Sequence, residues 1–342
     1  MRSSSVSLPP MLLPRWSAAE LARRLRPAAP GAPLDRGALG RAVTLAESTR
    51  TDDRALAADL LAALGPPPAL AARVGFTGVP GVGKSTLIEA LGRQLVEAGR
   101  RVAVLAVDPS SQRTGGSILG DKTRMPFLST HPAAFIRPSP AGAALGGVAP
   151  RTGAVAHLLE AVGFDVLLIE TVGVGQSETA VRGLTDCFVL LLLAGAGDEL
   201  QGIKKGIIEM ADVLAVTKAD GPNAARAAAH AREMTNALHL LRPPAGGWLP
   251  PVLTCSAATG TGIADLWRTI EEFLTHQRTT GLFAQQRQQQ QITALRELIR
   301  QELETRFYAQ PAVAAAVTRI EAAVVRGELT VSTAAAQLLK KI

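Results

Sequence analysis

Little in this chain invites cross-linking, membrane insertion or base stacking. Only two of its 342 residues are cysteines, Cys187 and Cys255, and they lie far apart. Each sits inside an apolar run, which favours buried thiols in a reducing compartment over a disulfide or a metal site. Aromatic residues make up 4% of the sequence, so the formal charge of +7 has no stacking platform beside it. With arginine spread along the chain, that charge reads as a solvated surface and not as a nucleic-acid footprint. No run of about 18 uninterrupted apolar residues occurs, so no helix is expected to span a bilayer. The five histidines are scattered as well, which argues against a zinc or nickel centre. The expectation is a cytoplasmic protein whose partners are neither nucleic acid nor membrane.

What is present is 47% hydrophobic residues and a glycine-rich stretch that organises the rest. This length holds one large α/β domain plus extensions. GVPGVGKST, Gly78 to Thr86, has the Walker A spacing G-x-x-x-x-G-K-[ST]. RVGFTG before it reads as a strand, and LIEALGRQLVEAG after it has helical spacing ending at Gly99, a natural C-cap. A loop in this setting points backbone N–H groups inward, and the helix N-terminus adds its positive end, which together suit a nucleotide phosphate. Gly78, Gly81, Val82, Gly83, Lys84, Ser85 and Thr86 are therefore the expected phosphate cradle. Lys84 is expected to reach the β- and γ-phosphates and the Ser85 hydroxyl to be one ligand of Mg²⁺.

Ahead of the loop, Ser17 to about Leu64 shows helical periodicity, with Asp35 and Asp52 as N-cap candidates and Pro27, Pro30 and Pro33 as breakers. The first fifteen residues read as a frayed tail more than a targeting peptide. Gly65 and Pro66 to Pro68 mark the junction with the nucleotide domain. The expected division is a helical extension over 1–70, a P-loop domain over 71–276 and a helical C-terminal region over 277–342.

Beyond the loop, Val102 to Val107 is a continuous apolar strand of the kind buried in parallel sheets, followed by Asp108 at its carboxyl end. An aspartate after a strand is usually a turn residue. Here a polar, glycine-rich run follows it, and Asp121, Lys122 and Thr123 are candidates to respond to a γ-phosphate. Phe135 and Ile136 suggest a further short strand, Thr152 to Val162 an amphipathic helix with His157 on its surface or flank, and DVLLIE a second buried strand. That strand runs into Glu170, Thr171, Val172 and Gly173. Glu170 can meet Mg²⁺, and the Gly173 N–H can meet the γ-phosphate. Val174 stands where a water-orienting glutamine is often found, so unaided hydrolysis is expected to be slow, with Gln176 or a partner completing the site.

A third strand, Asp186 to Leu193, precedes a charged loop with Asp198, Glu199, Lys204 and Lys205. A fourth ends in Thr217, Lys218, Ala219 and Asp220, close to the N-K-x-D signature of guanine recognition. An aspartate accepts from both N1–H and the 2-amino group of guanine, and adenine offers no such pair. Thr217 replaces the usual asparagine, which leaves its contacts open. The strand VLTCSA, with Ser256 and Ala257, is placed to offer a backbone N–H to the guanine O6. A helix from Ile263 to about His276 closes the domain. Past it lies a glutamine-rich stretch, then a stripe of Ile292, Leu295, Leu298, Ile299 and Leu303, then two short helices. Packing of the stripe within the chain and a dimer arm fit these residues equally.

Taken together, GVPGVGKST, VDPSSQRTGGSILGDKTRM, FIRPSP, GAVAHLLEAVGFDV, ETVGVGQSE, GDELQGIKKGI and TKAD resemble the MeaB/ArgK family of P-loop GTPases, chaperones associated with methylmalonyl-CoA mutase. The resemblance covers about Gly75 to Asp220. It implies a mostly parallel, doubly wound α/β sheet, and hydrolysis of GTP to GDP with Mg²⁺. It further implies a homodimer through C-terminal helices, and contact with an adenosylcobalamin-dependent acyl-CoA mutase whose cofactor loading the GTPase gates. Residue by residue, Lys84 and Ser85 match the phosphate and Mg²⁺ positions, Asp108 and Asp121 the acidic positions of the first switch, and Glu170 and Gly173 those of the second. Gln201 to Lys205 falls in the family's third mobile loop and Asp220 in its base site. Competing readings are a metallochaperone GTPase, which needs clustered Cys or His, and a targeting GTPase, which would carry D-T-A-G-R where this chain has ETVGVG. A third is an ArgK-type ATP-driven kinase of amino-acid transport.

Overall fold

The Ser17 hydroxyl accepts the Glu20 N–H at 3.2 Å and so opens the first helix of the computed structural model. Residues 16–26, 33–48, 50–107, 124–138, 148–171, 177–194, 205–239 and 247–341 are described. Helix α1 (Ala18–Leu25) is followed by α2 (Arg36–Glu47), capped by Asp35 through the Ala38 N–H at 2.9 Å, and α3 (Thr51–Leu64). Asp52 is not the cap it was expected to be. The N-cap of α3 is Arg50, and Asp52 lies in the first turn, where its charge complements the helix N-terminus. The apolar faces of these helices, with Leu21, Leu25, Leu39, Val43 and Leu60 buried, join Leu105, Leu159, Leu167 and Phe188 in one cluster. The N-terminal helices thus cover one face of the sheet and share its core.

The sheet elements alternate with helices in chain order. They are β1 (Ala72–Thr77), α4 (Lys84–Glu97), β2 (Val102–Val107), α5 (Pro126–Thr130), β3 (Ala134–Pro138), α6 (Val148–Val162), β4 (Val166–Thr171) and α7 (Ser177–Arg182). Then come β5 (Cys187–Leu193), α8 (Lys205–Met210), β6 (Val213–Thr217), a 3-10 turn (Gly221–Asn223), α9 (Ala224–His239), β7 (Val252–Thr254) and α10 (Ile263–Thr279). All seven strands are parallel, in the order β3-β2-β4-β1-β5-β6-β7. β1 lies between β4 and β5, so the carboxyl ends of β1, β4, β5 and β6 stand side by side at one edge, where doubly wound sheets bind ligands. Every residue of β1 and β4 is buried, as befits central strands of a parallel sheet covered on both faces.

Helix α9 had no counterpart among the sequence expectations, although Ala227, Ala231, Met234 and Leu238, all buried, recur at i, i+4, i+7 and i+11. At the C-terminus the glutamine-rich tract is itself helical. It is the first half of a 28-residue helix, α11 (Leu282–Ala309), followed by α12 (Pro311–Val325) and α13 (Val331–Leu339).

The root of α11 is bolted to the edge of the sheet opposite the carboxyl ends of the strands. Gln286 and Gln290 donate to the Thr185 carbonyl at 2.7 and 2.8 Å. Arg287 donates to Glu160 at 3.0 Å, to Asp186 and to the Ala71 carbonyl at 2.8 Å. Arg73 forms a two-pronged pair with the same Glu160, at 2.9 and 2.5 Å. Burial works to raise the Glu160 carboxyl, but the Arg73 and Arg287 guanidiniums prevail and hold it below its ordinary value. His157, on the flank of α6, sits beside this cluster, its Nδ1 3.7 Å from Glu160. Burial, reinforced by Arg73 and Arg287, lowers its pKa. Further along α11, Ile292, Leu295, Leu298, Ile299 and Leu303 are 44–62% exposed.

Candidate nucleotide site

After Thr77 the chain turns through Gly78, Gly81 and Gly83 with φ of +149°, +82° and +97°. A β-carbon on Gly78 would sit 2.6 Å from the Leu191 carbonyl, so the loop is held against β5 at a distance only glycine allows. Gly83, in the left-handed region, is the N-cap of α4, and Lys84 is its first residue. The Lys84 ammonium lies across the loop, donating to the Gly78 carbonyl at 2.8 Å and to Val79 at 3.2 Å. Burial lowers its pKa, against the opposing pull of the Glu170 and Glu178 carboxylates. The Ser85 hydroxyl donates to Glu170 Oε1 at 2.8 Å. Next to Glu170, the Thr171 hydroxyl bonds that of Thr77 at 3.0 Å, tying the ends of β4 and β1 together.

A cavity of about 480 Å³ opens beside this loop. Its walls include Val82, Gly83 and Thr86 from the phosphate side and Thr217, Lys218, Asp220, Ser256 and Ala257 from the far side. The structure thus brings both halves of the expected nucleotide site to one hollow. The Thr217 hydroxyl donates to the Val82 carbonyl at 2.7 Å, with Leu192 O at 3.2 Å as the alternative acceptor. Lys218 lays its aliphatic stem over the loop, its Cε 4.0 Å from where a Gly83 β-carbon would lie. The Ser256 N–H is engaged by the Thr261 carbonyl at 2.9 Å. Of the two residues expected to meet a base oxygen, Ala257 is therefore the one whose amide is not spent in the loop's own bonding.

Asp108, Asp121 and Gly173 lie outside the described residues, as do Lys122, Thr123, Val174, Gln176 and Gln201 to Lys204. Helix α5, which follows the first of these stretches in the chain, is held from two sides. Glu89, on the phosphate helix α4, accepts the Phe127 and Leu128 N–H groups at 2.7 and 3.3 Å. Arg36 donates to the Ser129 and His131 carbonyls at 2.9 and 2.5 Å. Neither Glu89 nor Glu178, a buried carboxylate at the start of α7, was among the sequence candidates. A single carboxylate on an amphipathic helix carries no local signal of where it points.

The Ser85 hydroxyl and Glu170 carboxylate, both nearly buried, form a hard-oxygen pair that fits Mg²⁺. Soft-metal chemistry finds no such support. Both thiols are buried, with Cys187 pushed well above the usual thiol range and Cys255 up to about 12. Among the described residues no group of three His, Cys, Asp or Glu side chains is arranged to hold a metal ion. A second cavity, about 400 Å³, lies between Arg100, Gly163, Trp267 and Arg278, and none of the expected site residues lines it.

Residues 39–312 match the family model described as Methylmalonyl Co-A mutase-associated GTPase MeaB. A probable GTPase of Mycobacterium tuberculosis is 54% identical over 306 residues, covering 90% of this chain and 91% of that one. The mouse protein named methylmalonic aciduria type A homolog, mitochondrial, is 45% identical over 317 residues, with 89% and 76% covered. The crystal structure of a LAO/AO transport system kinase is similar with a TM-score of 0.70 at 38% identity, covering 96% of this chain and 98% of that one.

Proposed function

Because the chain belongs to the MeaB family of methylmalonyl-CoA mutase-associated GTPases, we propose that it is a GTP-driven chaperone of an adenosylcobalamin-dependent acyl-CoA mutase, methylmalonyl-CoA mutase first among them. The observation that carries this reading is the hollow shared by the Lys84 loop and the Asp220 turn. Its phosphate end is lined by Val82, Gly83 and Thr86, with Lys84 next to Gly83 at the start of α4. Its base end presents a carboxylate, which accepts from N1–H and the 2-amino group of guanine.

In this reading Lys84 leaves the Gly78 and Val79 carbonyls for the β- and γ-phosphate oxygens of GTP. Ser85 and Glu170, with Asp108 and Asp121 from the first loop, would hold Mg²⁺, which neutralises phosphate charge as the γ-phosphate departs. The Gly173 N–H senses that phosphate, and its loss releases the first and second loops. The loop ending at Lys205 passes the change to the mutase, gating cofactor delivery and protecting or reactivating the enzyme. Residues 1–70, 71–276 and 277–342 act as supporting extension, switch and dimerisation region. Two copies of the chain meet through the exposed stripe on α11, and the complex works in the cytoplasm.

The similarity to a LAO/AO transport system kinase keeps a second reading in view, an ATP-driven kinase of amino-acid transport. Asp220 argues against it, since adenine has no donor pair for a carboxylate there. The deciding experiment is nucleotide turnover by the purified protein, GTP against ATP, with and without an adenosylcobalamin-dependent acyl-CoA mutase. Slow GTP turnover that the mutase accelerates is expected. Turnover indifferent to every such mutase, or a preference for ATP, would overturn the proposal.

A further inference from the structure

Among the described residues Lys218 is the only non-glycine with a positive φ, +54°. This left-handed residue turns the chain after β6 and so sets the course of the peptide that leads to Asp220. The peptide between Lys218 and Ala219 is held on both sides. Its N–H donates to the Cys255 carbonyl at 3.1 Å, and its C=O accepts the Asn223 side-chain amide at 2.7 Å. The Asn223 backbone N–H also returns to this turn, donating to the Asp220 carbonyl at 3.0 Å. Asn223 therefore brackets Asp220 with two bonds, and it lines the same cavity. The side-chain contact is not a helix cap, because Nδ2 and not the side-chain oxygen is engaged, and it points to the preceding turn and not into α9.

We propose that Asn223 is a positioning residue for base selection, clipping the Lys218–Asp220 turn so that the Asp220 carboxylate keeps a single aim into the pocket. This rests on the reading of the cavity as a guanine site. Without the clip the Lys218 carbonyl meets water, the peptide keeps only its Cys255 tether, and the left-handed turn relaxes toward ordinary backbone. The Lys218 end of the contact is exposed, so its loss is a small matter for global stability and a large one for where Asp220 points.

The test uses the full chain with Asn223→Ala and Asn223→Asp, the second keeping size while removing the donor. KM and kcat are measured for GTP and for ITP, which lacks the 2-amino group and so reports the grip of Asp220. The expected result is a KM for GTP raised about tenfold, the factor equivalent to one hydrogen bond's net contribution, with kcat within about twofold. The GTP-over-ITP ratio of kcat/KM should shrink with it. Unchanged KM and ratio would overturn the proposal, and so would a fall in kcat with the ratio preserved, which marks a merely structural role. If Asn223→Ala loses its fold by circular dichroism, Asn223→Asp carries the same expectations. Wild-type protein indifferent between GTP and ITP would overturn the guanine reading and this proposal together. Wild-type discrimination with inert Asn223 variants removes this proposal alone.

Discussion

Arg287 and Asp186, 101 residues apart in the chain, form a two-pronged ion pair in which Nε and Nη2 donate to the two carboxylate oxygens at 2.5 and 2.7 Å. The pair joins α11 to the start of β5. It also shares Glu160 with Arg73, so two guanidiniums face two carboxylates in a buried cluster. Such clusters add little over a well-packed apolar core, but removing one member strands the others. Arg287→Ala is expected to lower unfolding stability by about 3–5 kcal/mol, measured by urea denaturation. A loss below about 1 kcal/mol would mean that water reaches the cluster. The folded Glu160 pKa lies below its unfolded value of 4.5, so its contribution is present above that pH and fades as pH falls through the folded value. In Arg287→Ala that acid limb should weaken.

The Thr217 hydroxyl ties the end of β6 to the glycine-rich loop through the Val82 carbonyl, at 2.7 Å. Thr217→Val keeps the shape and leaves the Val82 carbonyl without its donor. Nucleotide affinity should fall about tenfold, with about 1 kcal/mol lost in stability, while Thr217→Ser retains both. Fluorescent-GDP titration and thermal melting check this, and equal affinity of Thr217→Val and wild type would count against the tie.

Asp212, at the foot of β6, accepts the Phe188 N–H at 2.8 Å and faces Arg182. Burial raises its pKa from 3.8 to about 6, with Arg182 working against the shift. Between those values the folded state holds more protons than the unfolded one, so this residue makes stability fall as pH rises through that window and stay level above it. Relative to wild type, Asp212→Asn should therefore gain up to about 3 kcal/mol between pH 4 and pH 7, read from denaturation curves at each pH. A constant difference would show that Asp212 titrates near its ordinary value.

Lys84→Ala should abolish turnover while the far-ultraviolet circular dichroism stays native, and near-normal activity would dislodge Lys84 from the phosphate site. Asp220→Asn should exchange guanine for xanthine preference, since the 2-amino donor of one base is a carbonyl acceptor in the other. GTP and XTP competition assays measure the exchange, and an undiminished GTP preference would remove Asp220 from the base site.

The stripe on α11 gives the oligomer prediction. Leu295 and Leu298 are 58% and 44% exposed. Replacing both with Glu would bury charge in any interface formed there, and should convert a dimer to monomer by light scattering. Intrinsic GTP turnover should be unaffected. A dimer that survives both charges lies on another surface.

Much of the nucleotide hollow was legible because its signals are local. G-V-P-G-V-G-K-S needs positive φ at set positions, and T-K-A-D ends a buried strand, so each stretch declares its backbone within a few residues. Apolar runs marked β2, β4, β5 and β6 for the same reason. β3, an edge strand, showed only Phe135 and Ile136 and in fact runs from Ala134 to Pro138. Helix α9 is regular in period, but alanine fills both Ala227 and Ala231 on its buried face and many of the positions around them. Alanine suits exposed and buried helix faces alike, so the apolar stripe stands out little from the rest of the helix.

Residue order by itself indicated a Walker A loop between strand and helix, buried strands of the kind found in parallel sheets, and an Asp220 carboxylate just past the end of one of them. Backbone preference and hydrophobic period act over a few residues, and those are the distances at which a sequence can be read. Tertiary structure alone decided that Thr217 reaches Val82, that Glu89 holds the helix after the first loop, and that a glutamine-rich tract carries the buried arginine seating the last helices. Each of these depends on polar groups from distant segments meeting where water is excluded, and the need to pair them appears only once the chain has closed around them.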